Sequence, residues 1–126
     1  MRTVAVDFDK VIHAYRQGWG DGSIYDEPVP GALDALRTLM TSYAVFIHTT
    51  RDMFQVADWL RDRGIECRVD AAKGSLRREF WDEQGAVLVT NYKYPAVAYI
   101  DDRAIRFTNW AQALNDLGEV TGARPA

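Results

Sequence analysis

Two pairs of carboxylates are the residues in this chain best suited to chemistry. Asp7 and Asp9 close the run VAVDFD, and Asp101 and Asp102 close AVAYIDD. Each pair follows a short apolar stretch, the pattern of a buried strand. A third such stretch, AVFIHTT, ends at Thr49 and Thr50. Carboxylates gathered at one place repel one another unless a cation joins them. An oxygen-only donor set suits a hard ion, and Mg2+ is the natural choice: it keeps several waters and takes one or two carboxylates plus a phosphate oxygen. Asp7, Asp9, Asp101 and Asp102 are therefore the expected metal group. No His or Cys cluster offers a zinc site. One acidic pair alone reads more simply as a solvated turn. Two pairs, each ending an apolar strand, make that reading harder to keep.

For these residues to meet, the elements carrying them must lie side by side. Residues 3–8 read as a central strand, and residues 10–30, with three glycines and two prolines, as a flap rather than a helix. Residues 31–43 have helical spacing, residues 44–48 form a strand, and residues 53–63 a second helix that Gly64 stops. Residues 65–69 and 96–100 read as strands, 75–84 as a short helix, and 105–107 as a short edge strand. Residues 86–89 fit a strand or a buried turn equally. Residues 109–117 predict a last helix with Trp110, Ala113, Leu114 and Leu117 inward, closed by Gly118. Residues 119–126 read as a frayed tail. Strands alternating with helices predict an α/β fold, a Rossmann-like three-layer sandwich with a central parallel sheet covered on both faces. Ligands in such folds sit outside the carboxyl ends of the strands, where all three acidic and threonine segments terminate.

The 126 residues are enough for one domain, and an apolar share of 48% is ordinary for a globular one. The net charge of −3 argues against a general duplex-DNA binder. No run approaches the roughly 20 apolar residues that cross a bilayer. The N-terminal residues lack a signal-peptide pattern, and the lone Cys67 cannot pair within the chain. These features lead to the expectation of a cytoplasmic protein with no membrane partner. Cys67, in IECRV, reads as an inert strand thiol.

The quoted runs also carry a resemblance. VDFDKVIH resembles the first motif of the haloacid dehalogenase (HAD) superfamily, VFIHTTRD its second, and YIDDRAIRF its fourth, in the right order along nearly the whole chain. The resemblance implies a Mg2+-dependent phosphatase. Asp7 would be the nucleophile that forms an aspartyl phosphate. Asp9 would be the acid–base group, with its backbone carbonyl on the metal. Thr49, or its neighbour Thr50, would donate a hydrogen bond to a phosphoryl oxygen, and Asp101 and Asp102 would hold the metal. A third motif implies a lysine beside the phosphoryl group, Lys93 ahead of Lys73. Lys10 departs from the motif, which often has glycine there. Neither inter-motif gap is long enough for a cap domain, so the resemblance is to the capless type.

Lys10, Arg51 and Arg103 directly follow site residues and are candidate substrate ligands, with structural ion pairs as the equal alternative for the two arginines. Together with Arg16, and with Trp19 and Tyr25 in the flap, they favour a nucleotide or a phosphorylated nucleic-acid end over a small sugar phosphate. Packing is the simpler role for both aromatics. His13 falls near the site, but Asp9 already supplies an acid–base group. His48 reads as a sheet histidine. Two rival functions use similar residues: a phosphoacceptor receiver-like signalling domain, and a non-catalytic binding protein with the same fold. Turnover of a phosphate ester separates them from the enzyme.

Overall fold

The computed structural model describes residues 2–70 and 78–122. Its elements are β1 (Thr3–Asp7), α1 (Ala32–Met40), β2 (Ala44–His48), α2 (Met53–Arg61), β3 (Cys67–Val69), β4 (Val87–Thr90), β5 (Ala98–Ile100) and α3 (Trp110–Thr121). The five strands form one parallel sheet in the order β3-β4-β2-β1-β5. The fold is thus α/β and Rossmann-like. Residues 86–89, which the sequence left open between strand and turn, lie largely in β4, a buried interior strand.

Strand alternation divides the core. Val4, Val6, Val45, Ile47, Val87 and Val89 face α1 and α2 and pack with Leu36, Val56, Ala57 and Leu60. Ala5, Phe46 and Leu88 point to the opposite face. Burying a β-branched side chain of this kind stabilises by roughly 1.5–3 kcal/mol, and both faces of β2 are closed to water. Helix α2 begins because Asp52 accepts from the amides of Phe54 and Gln55. After α2 the chain turns at Gly64, whose φ of 84° lets the amide of Ile65 turn back to the Leu60 carbonyl.

Four expectations are corrected. The second sheet face has no helical layer among the described residues; Trp81 and Tyr94, from irregular segments, close it. Residues 78–84 are not helical and residues 105–107 are not a strand; residues 71–77, including Lys73, lie outside the described residues. Helix α3 runs past Gly118 to Thr121 and buries none of its residues: Trp110 is 72% exposed, and Leu114 and Leu117 about half. Its spacing shows that it has an apolar stripe but not that anything in the chain covers it. Residues 123–126 of the expected tail also lie outside the described residues.

The sheet order places the site. From β1 the chain moves to β2 on one side, and it returns at β5 on the other. A crevice forms where strand order reverses in this way, at the carboxyl ends. Asp7 is opposite His48, and Val6 is opposite Ile100. The residues after β5 therefore emerge level with Asp7. No helix is long and apolar enough to cross a membrane among the described residues.

Candidate active site

A pocket of about 260 Å³ lies at this crevice, lined by Asp7, Asp9, Tyr15, Trp19, His48, Thr49, Thr50, Asp102 and Arg103. It draws on the ends of three strands and on the flap. A larger groove of about 520 Å³ runs between the flap and α2, past Asp21, Asp58, Trp59 and Asp62. That groove presents acids without a cation or threonine to receive a phosphate, so the smaller pocket is the better chemical candidate.

Asp7, Asp101 and Asp102 each bring a carboxylate oxygen within 4.8 Å of the others. Asp7 accepts from the amide of Phe8 at 2.8 Å. Burial nevertheless pushes its carboxyl up to about 6, and the neighbouring Asp102 and Asp101 add to the shift against that amide bond. Asp101 accepts from the amides of Arg103 and Ala104, which turns the chain directly after β5. Arg103 stays largely in solvent, 3.9 Å from Asp102. The donors are carboxylate oxygens only, a set that could hold a hard metal ion.

Asp9 is held differently. Its Oδ1 accepts from His13 Nδ1 at 2.8 Å, and the Nε of Arg51 donates to both carboxylate oxygens, at 3.1 and 2.9 Å. Arg51 is itself buried. Its Nη1 donates to the Gly22 carbonyl, and its guanidinium lies 4.4 Å from the centre of the Trp19 ring. This cation therefore joins β2 to the flap. Of the two roles the sequence allowed Arg51, the ion pair is the one formed here.

Thr49 is buried and Thr50 exposed, though both reach the pocket. Thr49 Oγ1 accepts from the Arg51 amide, which leaves its own proton to donate. Asn91 holds this turn by donating to the carbonyls of Thr49 and Arg51. Lys93 does not line the pocket. It is exposed, and its Nζ sits 4.9 Å over the Tyr99 ring, two residues before Asp101. Lys10 is also outside the lining, beside Tyr15. Both Lys10 and Tyr15 have positive φ, at 71° and 55°. Lys10 thus holds the left-handed backbone that favours glycine, at a cost of roughly 1–2 kcal/mol. The flap turn needs that conformation, because the Lys10 amide donates to the His13 carbonyl.

Three contributors lay beyond the sequence reading. Tyr15 shares the flap with Trp19 but has no distinguishing motif. Asn91 follows AVLVT, and reading 86–89 as a strand would have placed it at the same sheet edge. His13 had no role left for it once Asp9 supplied the acid–base group, and only the structure shows that its partner is Asp9 itself. Tyr25 takes the packing role: its hydroxyl accepts from the Gln17 amide and donates to the Gly18 carbonyl. Cys67 is buried, and burial pushes its thiol up to about 11, as an inert strand cysteine requires. Comparison with known proteins adds no precedent for the arrangement: no family model, no curated protein and no solved structure matches this chain.

Proposed function

We propose that this chain is a Mg2+-dependent phosphohydrolase of the HAD type that works through an aspartyl phosphate on Asp7. The observation that carries the reading is the joining of Asp7, Asp101 and Asp102 within 4.8 Å at a pocket that also holds Asp9 and Thr49. Asp7, Asp101 and Asp102 would hold a divalent ion, which would offset their charges and supply Lewis-acid stabilisation to the phosphoryl group. Asp7, brought back to its ionised form beside such a charge, attacks phosphorus as the bond to the leaving oxygen breaks. Asp9, in its protonated form for this step, gives that oxygen its proton and so becomes the carboxylate that Arg51 and His13 hold. Water then attacks the aspartyl phosphate, Asp9 takes the water's proton, and Asp7 and inorganic phosphate are released. Thr49 donates to a phosphoryl oxygen. Lys93, the motif lysine of the resemblance, would have to leave the Tyr99 ring to reach the remaining charge.

The substrate class we favour is a nucleotide or a phosphorylated nucleic-acid end. Trp19 and Tyr15 wall the pocket, and Trp19 is half exposed, so part of its ring is open to a base. Arg103, in solvent at the rim, is placed to meet a further phosphate. The test is release of phosphate from nucleotides, 3′-phosphorylated oligonucleotides, phosphopeptides and sugar phosphates, with Mg2+ and with excess chelator. Turnover is expected with Mg2+ only. Asp101→Ala is expected to raise the Mg2+ requirement more than Asp102→Ala. Full activity in chelator, or stoichiometric labelling without turnover as in a receiver, sinks the proposal.

A further inference from the structure

His13 is a buried titratable side chain near the pocket with both ring nitrogens engaged, and the reaction outlined above does not use it. It is completely buried. Its ring stacks on Phe8 at 5.5 Å and meets the edges or faces of Trp59, Tyr15 and Tyr25 at 5.3–5.9 Å. Both ring nitrogens are engaged. Nε2 accepts from the backbone amide of Asp26 at 3.0 Å, while Nδ1 faces Asp9 Oδ1 at 2.8 Å. An amide can only donate, so Nε2 carries no proton and Nδ1 must carry the one that goes to Asp9. The tautomer is set by the fold.

The same contacts exclude a proton relay. A relay would pass a proton in at one nitrogen and out at the other. Here the second nitrogen is closed off by an amide that cannot take one. The ring can only hold Asp9. What it holds Asp9 to is the flap: Asp26 also accepts from the Arg16 amide and guanidinium, and His13 forms backbone bridges to both Asp9 and Pro28.

We propose that His13 is the positioning residue of Asp9: its Nδ1–H fixes the carboxylate, its Nε2 ties that carboxylate to the flap, and it acts on the reaction only through Asp9. The part that concerns catalysis rests on the reading of Asp9 as the acid–base group. The tie itself does not.

Two substitutions separate the two ends of the ring. His13→Asn places an amide nitrogen near the Nδ1 position and loses the flap contact. His13→Gln places an acceptor near the Nε2 position and loses the donor to Asp9. With p-nitrophenyl phosphate and Mg2+, His13→Gln is expected to lower kcat about tenfold or more with KM within about twofold, and His13→Asn to recover most of that loss. In an Asp9→Asn background the His13→Gln step is expected to change kcat by less than about twofold, because its target is gone. A role in packing alone would lower both variants together and act equally in either background; that result overturns the proposal. The unmodified protein gives a second measurement that needs no activity and no variant of His13. Its imidazole nitrogen spectrum is expected to show the proton on Nδ1, and Asp9→Asn is expected to shift that nitrogen. A proton on Nε2, or an Nδ1 signal indifferent to Asp9→Asn, also overturns it. Absence of phosphatase activity in the unmodified protein would instead remove the enzyme reading and leave the tie to be decided by the nitrogen spectrum.

Discussion

Asp7 and Asp9 are two residues apart on one strand end, yet their surroundings are opposite. Asp7 stands with Asp101 and Asp102 and has one amide donor for its own carboxylate. Asp9 has a buried guanidinium and an imidazole directed at it. One carboxylate is short of positive charge and the other is amply supplied. A chain that wanted only stability would not leave the first arrangement in place, since clustered carboxylates repel. The difference separates a carboxylate group that could hold an external cation from one the fold neutralises itself.

The sharpest way to break this contrast is to remove the charge at each position in turn. Asp7→Asn is expected to lower turnover at least about a hundredfold, on the order of 3 kcal/mol of transition-state stabilisation, while the metal-free protein folds as well or better. Arg51→Met is expected to do the reverse to stability. It strands Asp9 against a buried apolar side chain, and truncating one partner of a buried pair costs about 3–5 kcal/mol where both are enclosed. Asp9 keeps some solvent, with its side chain 25% exposed, so roughly 2–3 kcal/mol is the expected loss. Denaturant midpoints for both variants without metal decide the matter. If Asp7→Asn destabilises as much as Arg51→Met, the contrast is not electrostatic.

The pH dependence sharpens the same point. In the fold the Asp7 carboxyl titrates at about 6, against 3.8 when free. A raised carboxyl favours the folded state in its protonated form. Its contribution is therefore present in full below 3.8 and is lost as pH rises through about 6. Relative to Asp7→Asn, which has no such titration, the metal-free protein is expected to lose melting temperature between pH 4 and 6 and to regain it at pH 7 on adding Mg2+. Asp26 does not blur this window. Arg16 holds its carboxyl far below the usual range, so its contribution is present above 3.8 and is lost as pH falls below that, under this window. A flat difference between the two proteins from pH 4 to 7 would mean that Asp7 is not strained by its neighbours.

What the sequence made legible was the set of strand ends. VAVDFD, AVFIHTT and AVAYIDD each announce a buried strand and the polar residue that leaves it, and a parallel sheet brings such ends together whatever the loops do. The contacts across the flap were not legible in the same way. That His13 reaches Asp9 and Arg51 reaches Gly22 depends on the left-handed backbone at Lys10, a conformation its side chain does not advertise. At α3 the apolar stripe was readable but its surroundings were not, because periodicity measures a helix's own faces and is silent about neighbours. The Trp81 and Tyr94 cover on the second sheet face came from segments without periodicity, where only burial could show their role.

The smallest expected effect concerns the flap wall that spans both regions. Trp19 has Arg51 against one ring face, and it lines the pocket beside Asp7 and Asp9. A base can therefore use only its outer face, and such single-sided stacking belongs at the lower end of the roughly 1–3 kcal/mol measured for base–aromatic pairs. Trp19→Ala is expected to raise KM for a nucleotide about fivefold, with little change for a sugar phosphate, which has no ring to stack. The cation–π contact to Arg51 is lost as well, worth about 0.5–1 kcal/mol at a partly exposed site. That loss falls on stability and on Asp9, and so on kcat for every substrate alike. Comparing the two substrates divides the effects: a nucleotide-specific rise in KM reports stacking, and a uniform fall in kcat reports the Arg51 support. A uniform fall with no change in relative KM would leave Trp19 as a prop for Arg51 and remove it as a substrate platform.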